Sequence, residues 1–171
     1  MEKDAKPKYL NSPETDLFHK GHQLYRYRRA REAAAMENRE GLIVCEGYMD
    51  AIALTEAGFG WAVAPLGTAL TEDQLSLLWK VGGEPVLCFD GDEAGVRAAH
   101  KAIDRALPLL EPGRSLFFTM LPDGLDPDDL IRERGKGAMK EALEGARPLV
   151  DLLWQRELAA HPLNTPERQA G

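Results

Sequence analysis

Four short apolar runs constrain this chain more than any other feature: Leu42–Cys45, Trp61–Pro65, Val86–Phe89 and Ser115–Leu121. Each is almost continuously apolar, the pattern of a strand covered on both faces. The segments between them read as helices. Asp50–Gly58 (DAIALTEAG) closes on a glycine, the common residue past a helix C-terminus. Thr71-Glu72-Asp73-Gln74 has capping-box form ahead of LSLLWKV. Glu93–Leu110 sets Val96, Ala99, Ile103, Ala106 and Leu110 at helical spacing. Alternating strand and helix predicts an α/β fold: a four-stranded parallel sheet with right-handed crossovers, flanked by helices. Before it, residues 1–21 read as irregular, broken by Pro7 and Pro13, and the Arg- and Ala-rich stretch His22–Asn38 predicts a leading helix. After it, Asp128–Arg134, Met139–Gly145 and Pro148–Ala160 predict a helical extension. The polar tail HPLNTPERQAG stops without a cap, as expected of a piece of a longer chain.

Composition narrows the class. With 44% hydrophobic and 29% charged residues over 171 positions, the chain is globular and of single-domain size with a helical appendage. No stretch approaches the ~20 apolar residues of a membrane span, and the opening MEKDAKPKY is too polar for a signal peptide. Cys45 and Cys88 lie far apart inside apolar runs. They allow neither a disulfide framework nor a four-cysteine zinc site, and are expected as buried thiols of a reduced, cytosolic protein. The net charge of −7 is uneven: residues 1–41 hold nine Lys/Arg against seven Asp/Glu, the remainder twelve against twenty-one. A chain that grips duplex nucleic acid unaided is usually basic. An acidic body means either carboxylates that hold cations or a merely solvated surface, and position decides between them.

Position favours the cations. The first strand runs into Glu46-Gly47, the third into Asp90-Gly91-Asp92 followed by Glu93-Ala94-Gly95, and the fourth through Pro122-Asp123-Gly124 into Asp126-Pro127-Asp128-Asp129. Ligands of open parallel sheets bind at the carboxyl ends of the strands. Gathering these acids there would be repulsive unless a cation sat among them. Oxygen donors without His or Cys suit Mg²⁺ or Mn²⁺, and the chemistry that follows is metal-assisted phosphoryl transfer with one or two ions. A single Asp-x-Asp is more often a turn, and one of Asp126–Asp129 is expected to cap the next helix. The conjunction at three strand ends carries the argument.

VCEGYMD at 44–50 and CFDGDEAG at 88–95 resemble the Toprim domain shared by primases, topoisomerases and some nucleases. KYLNSPETDLFHKG at 8–21, APLGTALTEDQ at 64–74 and LPDGLDPDDLI at 121–131 resemble the bacterial DNA primases (DnaG-type) in particular. The resemblance implies a Toprim-like sheet over 40–122, with 1–39 as the end of a preceding primase subdomain and 123–171 as an acidic loop and helical subdomain. It implies RNA primer synthesis from NTPs on a single-stranded DNA template, in the bacterial cytoplasm. Glu46, Asp90 and Asp92 match the family's catalytic metal ligands, and Asp50, Asp126 and Asp128 the acids around a second ion. The glutamate is further implied in proton transfer from the attacking 3′-hydroxyl. Lys8 and Lys20 match essential basic residues and, with Asn11 and Ser12, are assigned to nucleotide phosphates or template backbone.

Full-length primases resemble this chain only in their middle. The zinc-binding domain, a further basic half of the polymerase domain and the helicase-binding domain do not fit within 171 residues. Zinc is therefore not expected here, the replicative helicase is a partner only through a domain absent here, and the chain alone is expected to be inactive or weak as a polymerase. The rival readings are a metal- and nucleotide-binding module without turnover, or a Toprim nuclease or topoisomerase; the KYLNSPET segment argues against the latter. A phosphatase using Asp90 as nucleophile fits poorly with the paired Glu46 strand end.

The remaining residues read as structural. Arg26, Arg28, Arg29 and Arg31 point in spread helical directions, so at least some are expected to face solvent, as a solvated surface in preference to a nucleic-acid contact. Leu24 and Tyr27 are expected as inward-packing, and Trp61, Trp79 and Trp154 as packing residues. The four histidines show no metal-ligand spacing. Leu66-Gly67-Thr68 is either a phosphate-facing loop or a plain turn.

Overall fold

A computed structural model describes residues 19–67, 69–122 and 124–161. The elements follow in the order β1 (Leu24–Tyr25), α1 (Tyr27–Met36), β2 (Ile43–Val44), α2 (Tyr48–Glu56), β3 (Ala62–Pro65), α3 (Glu72–Trp79), β4 (Val86–Phe89), α4 (Glu93–Ala106), β5 (Phe117–Met120), α5 (Pro127–Glu144), β6 (Arg147–Pro148) and α6 (Leu149–Ala160). The four apolar runs are β2, β3, β4 and β5, and they pair in parallel in the order β3-β2-β4-β5. The sheet is nevertheless six-stranded and mixed, because β1 adds antiparallel to β3 and β6 antiparallel to β5. Two-residue strands carry no periodicity, so these edges could not be read from the sequence.

The first parallel strand lies inside the sheet, so the chain leaves β2 in one direction to form β3 and crosses back in the other to form β4. Right-handed crossovers in opposite directions put their helices on opposite faces. Accordingly α2 packs on α5, and α3 packs on α4. The gap between the carboxyl ends of β2 and β4 is a topological switch point, where open α/β sheets bind ligands. Fully buried Leu54, Met139, Leu75, Ile103, Leu87 and Phe118 form the core that holds both helical layers to the sheet.

Several boundaries differ from the sequence reading, each for a local reason. The leading helix starts only at Tyr27, because Arg26 takes a left-handed conformation (φ 64°) that separates it from β1. The second helix starts at Tyr48, two residues early, with Gly47 as its cap. The helix after β4 gives way to a 3₁₀ turn at Leu107–Leu109, where Pro108 lacks the amide an α-helix needs. Two of the predicted C-terminal helices join into α5 across a kink at Gly135 (φ 79°). Trp61 and Trp79 are buried as expected, and the Trp79 Nε1 donates to Ser115 O at 2.8 Å. Trp154 is not a packing residue: it is 59% exposed on the outer side of α6. Among the described residues no helix is long and apolar enough to cross a membrane.

The capping box at α3 does more than start a helix. Thr71 Oγ1 accepts from Gln74 N and Gln74 Oε1 accepts from Thr71 N, as the sequence predicts. The same Gln74 amide, fully buried, donates through Nε2 to Lys20 O (3.0 Å) and Gln23 O (2.7 Å), pinning the segment before β1 to α3. Gln74→Leu would strand two carbonyls that now have a buried donor. It is expected to cost about 2–4 kcal/mol in a denaturant melt, against about 1 kcal/mol for an exposed cap residue.

Candidate metal centre

β2 and β4 are neighbours in register, with Val44 beside Leu87, so the residues that follow them emerge side by side at the switch point. There the Glu46 carboxylate accepts a hydrogen bond through Oε1 from the Asp90 amide at 3.2 Å. Side chains alternate along a strand, so Glu46 falls on the face of Val44 and Leu87, which α3 and α4 cover. Asp90 falls on the face of Cys88, toward α2 and α5. The two acids thus occupy one edge of the sheet from opposite faces.

Each remaining acid is placed by a helix start. Asp50, in the first turn of α2 and only 8% exposed, accepts through Oδ2 from Gly47 N at 3.0 Å and so fixes the backbone after Glu46. Asp92 is the N-cap of α4, accepting from Gly95 N at 2.7 Å. Asp126 is the N-cap of α5, accepting from Asp129 N at 2.7 Å, with Pro127 in the first turn. Asp128 is exposed in the same first turn and pairs loosely with Arg132. Two backbone bonds, Gly91 N to Leu125 O and Gly124 N to Gly91 O, strap the Asp90–Asp92 loop to the turn before Asp126. The glycines there are obligatory because backbone lies against them. A Cβ on Gly91 would stand 2.1 Å from Leu121 O, and one on Gly95 2.1 Å from Asp90 O.

The electrostatics register this crowding. Burial pushes the Asp90 carboxyl up to about 7, and the negative charges of Glu46, Asp50, Asp126 and Asp92 push in the same direction. Asp50 is pushed up to about 6 by burial and by Asp126, with the Gly47 amide opposing and Asp128 and Glu46 adding. Glu46 is raised by burial, held back by the Asp90 amide and raised further by Asp92. Cys45 and Cys88 are buried, and their thiols are pushed well above the usual range by burial and the nearby acids, so they stay protonated and make poor ligands.

The donor set fits a hard divalent cation: the ionisable donors at the edge are carboxylates, they raise one another's affinity for positive charge, and the buried Asp90 Oδ1 has no hydrogen-bond partner. The acids do not form a closed cage, however. Among the described residues no three acid, His or Cys donors are gathered for a metal ion. Glu46, Asp50, Asp92 and Asp126 each hold one oxygen on a backbone amide instead. The structure therefore brings Glu46, Asp50, Asp90, Asp92, Asp126 and Asp128 into one electrostatic neighbourhood. It sets the Lys20 backbone against the start of α3, at the same carboxyl edge. Lys8, Asn11 and Ser12 lie outside the described residues. Sequence reasoning missed Gln74 as the clamp on the Lys20 segment and the strap at Gly91; a buried amide making three bonds leaves no sequence signal beyond its capping role.

The switch-point sheet with acids at its carboxyl edge defines a Toprim domain, and residues 40–116 match the Toprim domain model. Residues 1–31 match the N-terminal domain of the DNA primase catalytic core. The DNA primase of Escherichia coli strain K12 is 48% identical over 164 residues, covering 96% of this chain and 28% of that protein. A DNA primase domain from Pseudomonas aeruginosa superposes with a TM-score of 0.89 at 41% identity, covering 99% of this chain and 52% of that one. A DnaG primase catalytic domain bound to single-stranded DNA gives 0.85 at 45% identity, over 98% and 52% of the two chains. Over nearly its whole length the chain is similar to the Toprim-containing part of the catalytic core of bacterial DnaG-type DNA primases. It spans a little over a quarter of the length of the curated relatives it matches.

Raised carboxyl values make the metal-free fold more stable when these acids are protonated. The folded chain binds more protons than the unfolded one between the ordinary carboxylate range and about 7, so stability falls as pH rises through that window. In chelator, the thermal midpoint is expected to be higher at pH 5.5 than at pH 8, and Asp90→Asn to raise the pH 8 midpoint. A midpoint that climbs with pH over this range, or an Asp90→Asn variant less stable at pH 8, would contradict the reading. Gly91→Ala is expected to cost about 1–3 kcal/mol in the same assay by forcing the strap open.

Proposed function

We propose that this chain supplies the catalytic metal and nucleotide end of a primase, making RNA primers on single-stranded DNA by nucleotidyl transfer. The observation that carries the reading is Asp90: a carboxylate at the switch point, one oxygen buried without a partner, facing the charges of four other acids. Glu46, Asp90 and Asp92 would hold Mg²⁺ or Mn²⁺, two ions in the full site, with Asp50, Asp126 and Asp128 around the second. Bound there, the metal supplies Lewis-acid polarisation of the phosphate and stabilises charge on the attacking and leaving oxygens. In the reaction the 3′-oxygen bonds to the α-phosphorus of the incoming NTP, the bond to the β-phosphate breaks and pyrophosphate leaves. Glu46 would take the hydroxyl proton, a role supported by its Oε1 bond to the Asp90 amide and by the basicity that burial raises.

Lys8, Lys20, Asn11 and Ser12 are assigned to nucleotide phosphates or template, which the position of Lys20 at the carboxyl edge supports. The matches to residues 1–31 and 40–116 support a division into a leading segment (1–39), a Toprim domain (40–122) and a helical subdomain (123–171). The relative bound to single-stranded DNA supports that template. NTPs and RNA primer complete the substrates. A replicative helicase is a partner of the longer protein, and its setting is the bacterial cytoplasm.

Titration of Mn²⁺ by electron paramagnetic resonance tests the centre directly. The parent is expected to bind in the micromolar-to-millimolar range, and Asp90→Asn and Asp92→Asn each to weaken binding by about tenfold or more. Parent-like affinity in both variants would remove the assignment.

A further inference from the structure

A cleft of about 460 Å³, lined in part by Glu46, opens between α4 and the loop that follows β3. Its floor is apolar, made by Val44, Leu87, Phe89, Ala98 and Leu70 among others. Its wall is α4, whose Arg97, Lys101 and Arg105 recur at four-residue spacing and line one side of it. Arg105 donates across the cleft to Leu70 O and closes the far end. Lys101 is exposed, and Arg97 makes only an exposed pair with Glu93. The charge here is anomalous: residues 42–171 hold twelve cations against twenty-one acids, yet among the described residues the cleft is lined by three cations and by Glu46 as its single acid. A cleft of equal volume at the opposite end of the sheet shows the contrast, with Arg39, Lys136 and Lys140 offset by Glu37, Glu40, Glu84 and Glu144.

We infer that this cleft binds the nucleotide that carries the attacking 3′-hydroxyl, with its sugar and base on the apolar floor beside Glu46 and its phosphates on Arg97 and Lys101. The inference rests on the polymerase reading above and adds to it a second nucleotide site, distinct from the metal-bound NTP. Primer synthesis begins without a primer, so the first nucleophile is itself a 5′-triphosphorylated nucleotide and must be held by something other than base pairing alone. The two faces of the edge divide the work. Asp50, Asp90 and Asp126 crowd the α2–α5 face, where a cation-bound triphosphate is neutralised. The α4 face offers fixed cations to the phosphates of a second nucleotide, within the size range of small-ligand sites. Glu46 stands between them, where a hydroxyl proton has to leave.

The test uses the whole chain in chelator, so that the acids contribute no metal-mediated binding, with a fluorescent RNA dinucleotide bearing a 5′-triphosphate and its 5′-hydroxyl counterpart. The triphosphate form is expected to bind about tenfold or more tightly than the 5′-hydroxyl form, and the double variant Arg97→Ala/Lys101→Ala to abolish that preference. Because both side chains are exposed, the variant should keep the parent melting temperature and Mn²⁺ affinity. Competition by ATP identifies an initiating nucleotide as occupant and competition by dinucleotide alone a growing primer end; either supports the site. Equal binding of the two dinucleotides, or a preference retained in the variant, overturns it. So does a variant that loses affinity for a single-stranded DNA oligonucleotide while keeping the triphosphate preference, which would make the wall a template track. Asp90→Asn separates the two readings: it should lose Mn²⁺ yet keep the triphosphate preference in chelator. Failure of the metal centre would appear in the first measurement alone and failure of the cleft in the second alone.

Discussion

The contact on which the site depends is the hydrogen bond between the Glu46 carboxylate and the Asp90 amide. It exists only because β2 and β4 are neighbours in register, although forty-one residues of chain, with β3 and two helices, separate them in sequence. That adjacency sets two acids at one edge from opposite faces of the sheet. Burial at this edge raises the carboxyls first, and the like charges gathered there add to it.

The carboxylates are also structural. Asp92 and Asp126 each cap a helix, and Asp50 completes the first turn of α2. An acid at a helix N-terminus is stabilised by the unpaired amides and the helix dipole. The fold thereby offsets part of the repulsion among these charges, and it fixes each side chain on a rigid element, which a site of narrow geometric tolerance needs. The same economy explains why the acids are near one another without enclosing a point: their oxygens are already committed to backbone amides. Asp90 is the exception, with one buried oxygen left over.

Charge is partitioned by the sheet. Acids dominate where α2 and α5 cover it, whereas α4 brings a line of cations to the opposite face. Glu46 touches both regions, being coupled to Asp90 on one side and lining the α4 cleft on the other. Cys45 and Cys88 lie buried beside these acids, and burial keeps both thiols protonated.

The apolar runs determined the four parallel strands, because residues covered on both faces must be apolar whatever their neighbours are. The capping box at Thr71 and the acids after three of the four strands were equally legible, since caps and turns are written in local residue types. The two-residue edge strands, the left-handed break at Arg26 and the kink at Gly135 were not; each depends on a single dihedral or a pairing partner distant in sequence. Nor does any local pattern give the strand order. Only the packed sheet decided that β2 lies between β3 and β4, that Gln74 reaches back to Lys20, and that Glu46 meets the amide of Asp90. These are contacts between segments far apart along the chain. They are selected by the joint burial of two helical layers and not by the propensity of any one residue.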